Sequence, residues 1–154
     1  MSTAIDARKI ISIEGETEPR AIGSGFRSPV RIVFTSFDRT LKALEKAIPL
    51  ANPLNREIEI LVMQTVPFVL PLDDPSVPLE FLVRRLEEMA SRIPQKIRIS
   101  AYLCRDRLEG LKRVLNRNCP VVIGVRKKWW PNSDERVALK LRRSGYDVIT
   151  VETE

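Results

Sequence analysis

The segment Gly124-Val125-Arg126-Lys127-Lys128-Trp129-Trp130-Pro131-Asn132-Ser133 concentrates the side chains of this protein best suited to holding an anion. Three consecutive cations follow a glycine, and both tryptophans of the chain come directly after them. Pro120 to Val125, just before, is an apolar run of strand length, and Ser133 is a residue type that caps helices. A loop between a strand end and a helix start lines the crevice of an open α/β sheet, and helix N-termini there carry partial positive charge. Arg126, Lys127 and Lys128 are thus an anion clamp or a solvated loop. Trp129 and Trp130 either stack on a ring or cover protein. Gly124 serves a positive φ, a close approach, or simply the strand end.

Much other chemistry is excluded by composition. The chain of 154 residues has no histidine, which removes histidine acid–base catalysis, Ser–His and Cys–His nucleophiles, and the commonest transition-metal sites. No paired carboxylates, metal-ligand spacing or G-x-x-x-x-G-K-[ST] loop occurs, so the reading is of a protein that is not an enzyme. Cys104 and Cys119 fall at strand ends and are expected as buried free thiols. No apolar run approaches the roughly 20 residues of a membrane span. Residues 1–6 begin no secretory signal, and a cytoplasmic location with no membrane insertion is expected.

Charge is unevenly spread. The net charge is +6, yet residues 96–145 hold 14 Lys/Arg against 4 Asp/Glu, a balance of +10. The remainder holds 12 against 16, a balance of −4. The charged part of that basic half, residues 96–143, is either a set of Arg-rich helix surfaces or a face for nucleic acid or an acidic partner.

Strand and helix patterns alternate behind these side chains. Residues 31–37 (RIVFTSF) read as a strand, with Asp38 or Thr40 available to cap a helix burying Leu41, Leu44, Ala47 and Ile48. Pro49 and Pro53 end or kink that helix. Residues 57–66 form the next strand, and an acidic, proline-broken connection covers 67–78. A helix follows with Leu79, Leu82, Val83, Leu86, Met89, Ala90 and Ile93 in one stripe. Residues 96–103 alternate like a strand at a sheet edge. Asp106 opens a helix with Leu108, Leu111, Val114 and Leu115 inward, and Arg105 and Asp106 border the crevice distantly. A last helix runs from Ser133 to a stop at Gly145, before the strand Tyr146–Val151. Right-handed crossovers make this a five-stranded parallel sheet of order 3-2-1-4-5, with helices on both faces. In that order the crevice lies between the first and fourth strands, bringing Ser36, Asp38 and Thr40 opposite Gly124, Val125 and Arg126.

Residues 1–29, with Ile10, Ile11 and Ile13 among Gly, Glu and Arg, are read as an N-terminal arm before an α/β domain over 30–154. The final strand leaves a sheet edge open, which predicts a homodimer through Tyr146–Val151. Residues 9–13 folding back over that same edge are the alternative.

In element order and texture, residues 29–154 resemble a divergent universal stress protein. The matching pieces are RIVFTSFD, TLKALEKA, EIEILVMQTV and PVVIGV…NSDERVALKLRRSGYDVITV. The resemblance implies the same sheet, a stress-response or regulatory role, dimerisation through the last strand, and in many members ATP. It also places Asp38 near an adenine. The family's nucleotide motif is G-x-x-G, nine residues, then G-[ST]. Its first glycine matches Gly124, its second falls on Lys127, and its final pair falls on Asn132-Ser133 after a shortened loop. Bulky Trp129, Trp130 and Pro131 replace loop glycines that would let amides approach phosphate, which counts against the family's usual grip on ATP. Two functions follow as expectations. One is a non-catalytic module binding a nucleotide or other anionic small molecule at Ser36, Asp38, Thr40, Gly124, Val125, Arg126, Lys127, Lys128 and Ser133. The other is binding of nucleic acid or an acidic protein through the basic half.

Overall fold

A computed structural model describes residues 7–13, 29–54, 56–65, 79–126 and 133–153. Its strands are β1 (Ala7–Ile13), β2 (Val30–Val33), β3 (Ile58–Thr65), β4 (Ile97–Cys104), β5 (Pro120–Arg126) and β6 (Asp147–Thr153). Its helices are α1 (Phe37–Ala51), α2 (Leu79–Ser91), α3 (Arg107–Val114) and α4 (Ser133–Arg143). The sheet order is β1-β4-β3-β2-β5-β6. The five strands from β2 to β6 are parallel, in the expected order 3-2-1-4-5.

The sixth strand was not expected where it lies. Residues 7–13 pair antiparallel with β4, from Ala7 opposite Cys104 to Ile13 opposite Ile99, with a bulge between Lys9 and Ile11. Strand 97–104 is therefore not the sheet edge, and the N-terminal segment covers the opposite edge from the one its alternative placement named. Any apolar run can satisfy either row of unpaired amides, so the residues alone do not choose between the two edges.

The crossovers put α1 and α2 on one face and α3 and α4 on the other. Beneath α1 and α2 the sheet is almost wholly aliphatic, with Ile32, Ile58, Ile60, Ile99 and Leu103 fully or nearly fully buried against Leu44, Ala47 and Leu86. Each such side chain contributes about 1.5–3 kcal/mol on burial. Helix α1 packs through Thr40, Ala43, Leu44, Ala47 and Ala51, while Leu41 faces water, which corrects the expected stripe by one position. The small residues let the helix lie close to the sheet and turn Leu41 outward. Pro49 sits inside α1, which continues to Ala51, so the helix does not end there.

Under α3 and α4 a second apolar core joins Val33 of β2, Leu61 of β3, Val121 and Ile123 of β5 and Val148 of β6 to Leu111 and Leu141. Gly145 ends α4 with a φ of 98°. Its amide donates to the Arg142 carbonyl and that of Tyr146 to the Leu141 carbonyl, a Schellman closure that satisfies two orphan carbonyls. Cys104 and Cys119 are buried free thiols. No helix among the described residues is long and apolar enough to cross a membrane.

Candidate functional site

Strand β2 ends in Val33 and the chain enters α1 within four residues, so the start of α1 lies over the carboxyl ends of β2 and β5. Ser36 is the N-cap of α1, its Oγ accepting from the Arg39 amide at 3.2 Å. The expected caps do other things. Asp38 is exposed in the first turn, and Thr40 is fully buried, its Oγ1 accepting from the Thr35 amide at 3.3 Å. The Thr35 hydroxyl donates to the Gly124 carbonyl at 3.2 Å, which stitches β2 to β5.

Gly124 is needed for close approach, and the approaching group is protein. A Cβ there would lie 2.4 Å from the Arg39 carbonyl oxygen and 2.9 Å from the Arg39 Cβ. Positive φ is not its role, since among the described glycines only Gly145 has one. The first turn of α1 thus occupies the space beside Gly124. Val125 is a core residue, and Arg126 is exposed at the end of β5. Ser133 is exposed at the start of α4. Lys127 and Lys128, with Trp129, Trp130, Pro131 and Asn132, lie outside the described residues. Of the expected site, then, Ser36, Thr40 and Gly124 come together as one packed junction. Asp38 and Val125 part from it, one toward water and the other into the core.

The charged centre of this end of the sheet was not among the expected residues. Asp134, in the first turn of α4 and 9% exposed, accepts from Arg39 Nη1 at 2.8 Å through Oδ2 and from Arg107 Nη1 at 2.7 Å through Oδ1. Arg39 Nε also donates to Ser36 Oγ at 3.1 Å. Arg107 is the first residue of α3, whose N-cap Asp106 accepts from the Glu109 amide at 2.9 Å. The starts of α1, α3 and α4 therefore meet on one carboxylate. Each helix start adds about half a positive charge, so the surroundings favour anions. No sequence signal marks the triad, because its members are 27 and 95 residues apart and only the crossovers join them.

A second polar group lies deeper on the same face. Glu59 is 4% exposed and accepts from Arg31 Nε at 2.9 Å and from the Ser100 hydroxyl at 2.6 Å. Arg31 Nη1 reaches the Val114 carbonyl at 3.1 Å and so caps the end of α3. Burial raises the pKa of the nearby Tyr102 hydroxyl, the Glu59 carboxylate adds to the rise, and Arg31 and Arg98 oppose it. The signal for this group is legible in retrospect: Arg31, Glu59 and Arg98 occupy matching register positions on β2, β3 and β4. Among the described residues no three side chains are grouped to hold a metal. No family model matches the chain, and no curated protein matches it.

Proposed function

We propose that this chain is a non-catalytic cytoplasmic regulatory module of the universal stress protein type. It binds an anionic small molecule, a nucleotide or another phosphorylated compound, at the carboxyl end of its sheet. One observation carries the reading: guanidinium groups from two helix starts converge on a single carboxylate where three helix N-termini meet. The parallel sheet in 3-2-1-4-5 order supports it, since the crevice of such a sheet opens at this end. Because the Arg39 backbone fills the space beside Gly124, the reading has the ligand above α1 rather than against Gly124, with Arg126 at the rim. Thermal-shift titration with ATP, AMP, cyclic dinucleotides and short oligonucleotides tests it, because a ligand that binds only the folded state raises the melting temperature saturably. Absence of a shift with every nucleotide, and with inorganic phosphate and pyrophosphate, overturns it.

A second reading rests on the basic layer. Arg136, Lys140 and Arg143 are exposed at helical spacing along α4, and exposed Arg113 and Arg117 lie on and just after α3. A nucleic acid backbone or an acidic protein is the partner such a stripe fits. Its mark is binding of any oligonucleotide sequence that weakens steeply with salt. The homodimer belongs to the proposal as well. Because β1 occupies the edge at β4, β6 is the uncovered edge among the described strands, and antiparallel pairing of two β6 strands would close it. Light scattering that gives a monomer at high concentration removes that part.

A further inference from the structure

We infer that Asp134 is a built-in competitor for the anion site: a phosphate group binds between Arg39 and Arg107 only by taking the place of the Asp134 carboxylate. The inference rests on the anion-binding reading above and adds how that site discriminates and what its occupation releases. Two positive side chains share one negative one, so the cluster keeps an excess positive charge in a place largely shielded from water. The side chains of both arginines are 23% exposed and that of Asp134 is 12% exposed. Solvent therefore reaches the cluster from the arginine side.

The hydrogen bonding is also incomplete in a particular way. Each guanidinium gives Asp134 a single N–H, from Nη1, instead of the parallel pair that arginine forms with carboxylates and phosphates in its strongest geometry. Among the described residues Arg107 donates through Nη1 alone, and Arg39 uses only Nη1 and Nε. A carboxylate presents one edge for an end-on parallel pair, so it cannot take two guanidinium forks in that geometry at once. A tetrahedral phosphate has enough oxygens to accept from both guanidinium forks at once, and it carries more charge. The donor set is thus better matched to a phosphate dianion than to the carboxylate now in it. Since Asp134 is the group that joins α4 to the starts of α1 and α3, its displacement frees the first turn of α4. Binding is read out there as a loosening of one helix start, a local change suited to signalling.

The test is calorimetric titration of the full chain with inorganic phosphate and pyrophosphate, for the wild type and for Asp134→Asn, which keeps the side-chain shape and removes the charge. Asp134→Asn is expected to bind pyrophosphate about tenfold tighter or more, given the strength of hydrogen bonds to charged groups, and Arg107→Gln in that background is expected to remove the gain. Should Asp134→Asn fold poorly, pyrophosphate is expected to restore its melting temperature where sodium chloride of equal ionic strength does not. In the wild type, saturating pyrophosphate is expected to speed amide exchange at residues 134–137. Equal affinities of wild type and Asp134→Asn, or saturable binding with unchanged exchange at 134–137, overturn the competitor role and leave the anion site standing. No binding of phosphate, pyrophosphate or nucleotide to either protein overturns both.

Discussion

Glu59 and Asp134 are both carboxylates held by arginine on the α3 and α4 side of the sheet, yet they sit in opposite circumstances. Glu59 lies between strands, has one arginine and one serine hydroxyl, and leaves its group balanced in charge. Asp134 lies between helix starts, has two arginines, and leaves its group positive. The first arrangement ties β2, β3 and β4 together and, through Arg31 and the Val114 carbonyl, anchors α3. The second ties together elements that begin at the open end of the sheet. One chemical motif thus ties strands together where little solvent reaches it and, in the function proposed above, serves recognition where solvent reaches the arginines. The deciding variables are access and charge balance.

Removing each carboxylate is the strongest way to break this comparison. Deleting one partner of a buried pair strands the other charge, so Glu59→Ala is expected to cost about 3–5 kcal/mol of unfolding free energy. Asp134→Ala leaves two arginines without their partner, but both are 23% exposed and can turn to water, so it is expected to cost less, about 1–3 kcal/mol. Denaturant unfolding of both variants measures the difference. Equal costs would erase the distinction between the two sites. The double change Arg31→Met with Glu59→Leu sharpens it, because replacing a buried pair by apolar residues is expected to recover most of the loss.

An effect smaller than the loss of Glu59 is expected where α1 meets β5. Gly124→Ala places a Cβ 2.4 Å from a backbone carbonyl of α1, which cannot swing aside as a side chain tip would. A shift of α1 costing about 1–3 kcal/mol is expected. Because Arg39 belongs to that turn, the variant should also weaken anion binding more than Asp38→Ala, whose side chain is exposed. Undiminished stability in Gly124→Ala would mean that α1 is free to move and that its close approach positions nothing.

The parallel sheet was legible because its signals are local. The apolar run at 120–125, the alternation of strand and helix patterns, and the glycine stop at 145 each act over a few residues. Details failed where several neighbours were equally competent. Ser36, Asp38 and Thr40 can all cap a helix, and the choice fell to the residue whose backbone stays extended, with φ −151° and ψ 167° at Ser36. Leu41 belonged to the expected stripe, yet the alanine side of α1 packs closer to the sheet. Ile10, Ile11 and Ile13 spoke for a strand but not for an edge. The adjacency of the first and fourth strands, whose carboxyl ends the expected site residues occupy, was legible. The charged cluster beside them was not, since Arg39, Arg107 and Asp134 read individually as ordinary helix-start residues.

The smallest expected effect bears on how dry the Glu59 group is. Tyr102 lies on β4 on the same face as Ser100, and burial together with the Glu59 charge raises its pKa above the ordinary 10.0. A raised folded value means that the folded chain keeps a phenolic proton the unfolded chain has already lost. The associated stability is therefore fully present below pH 10, the ordinary value, and is lost as pH rises through the higher folded one. Ultraviolet absorbance of tyrosinate follows the titration, and subtracting the curve of Tyr102→Phe separates Tyr102 from Tyr146. The Tyr102 step is expected above the ordinary phenol range, and Glu59→Gln is expected to lower it by removing the repulsive charge. Were water to fill the space around Glu59, neither cause would survive. Tyr102 would then titrate in the ordinary range with or without the carboxylate, and Glu59 would belong with Asp134 as a second accessible site.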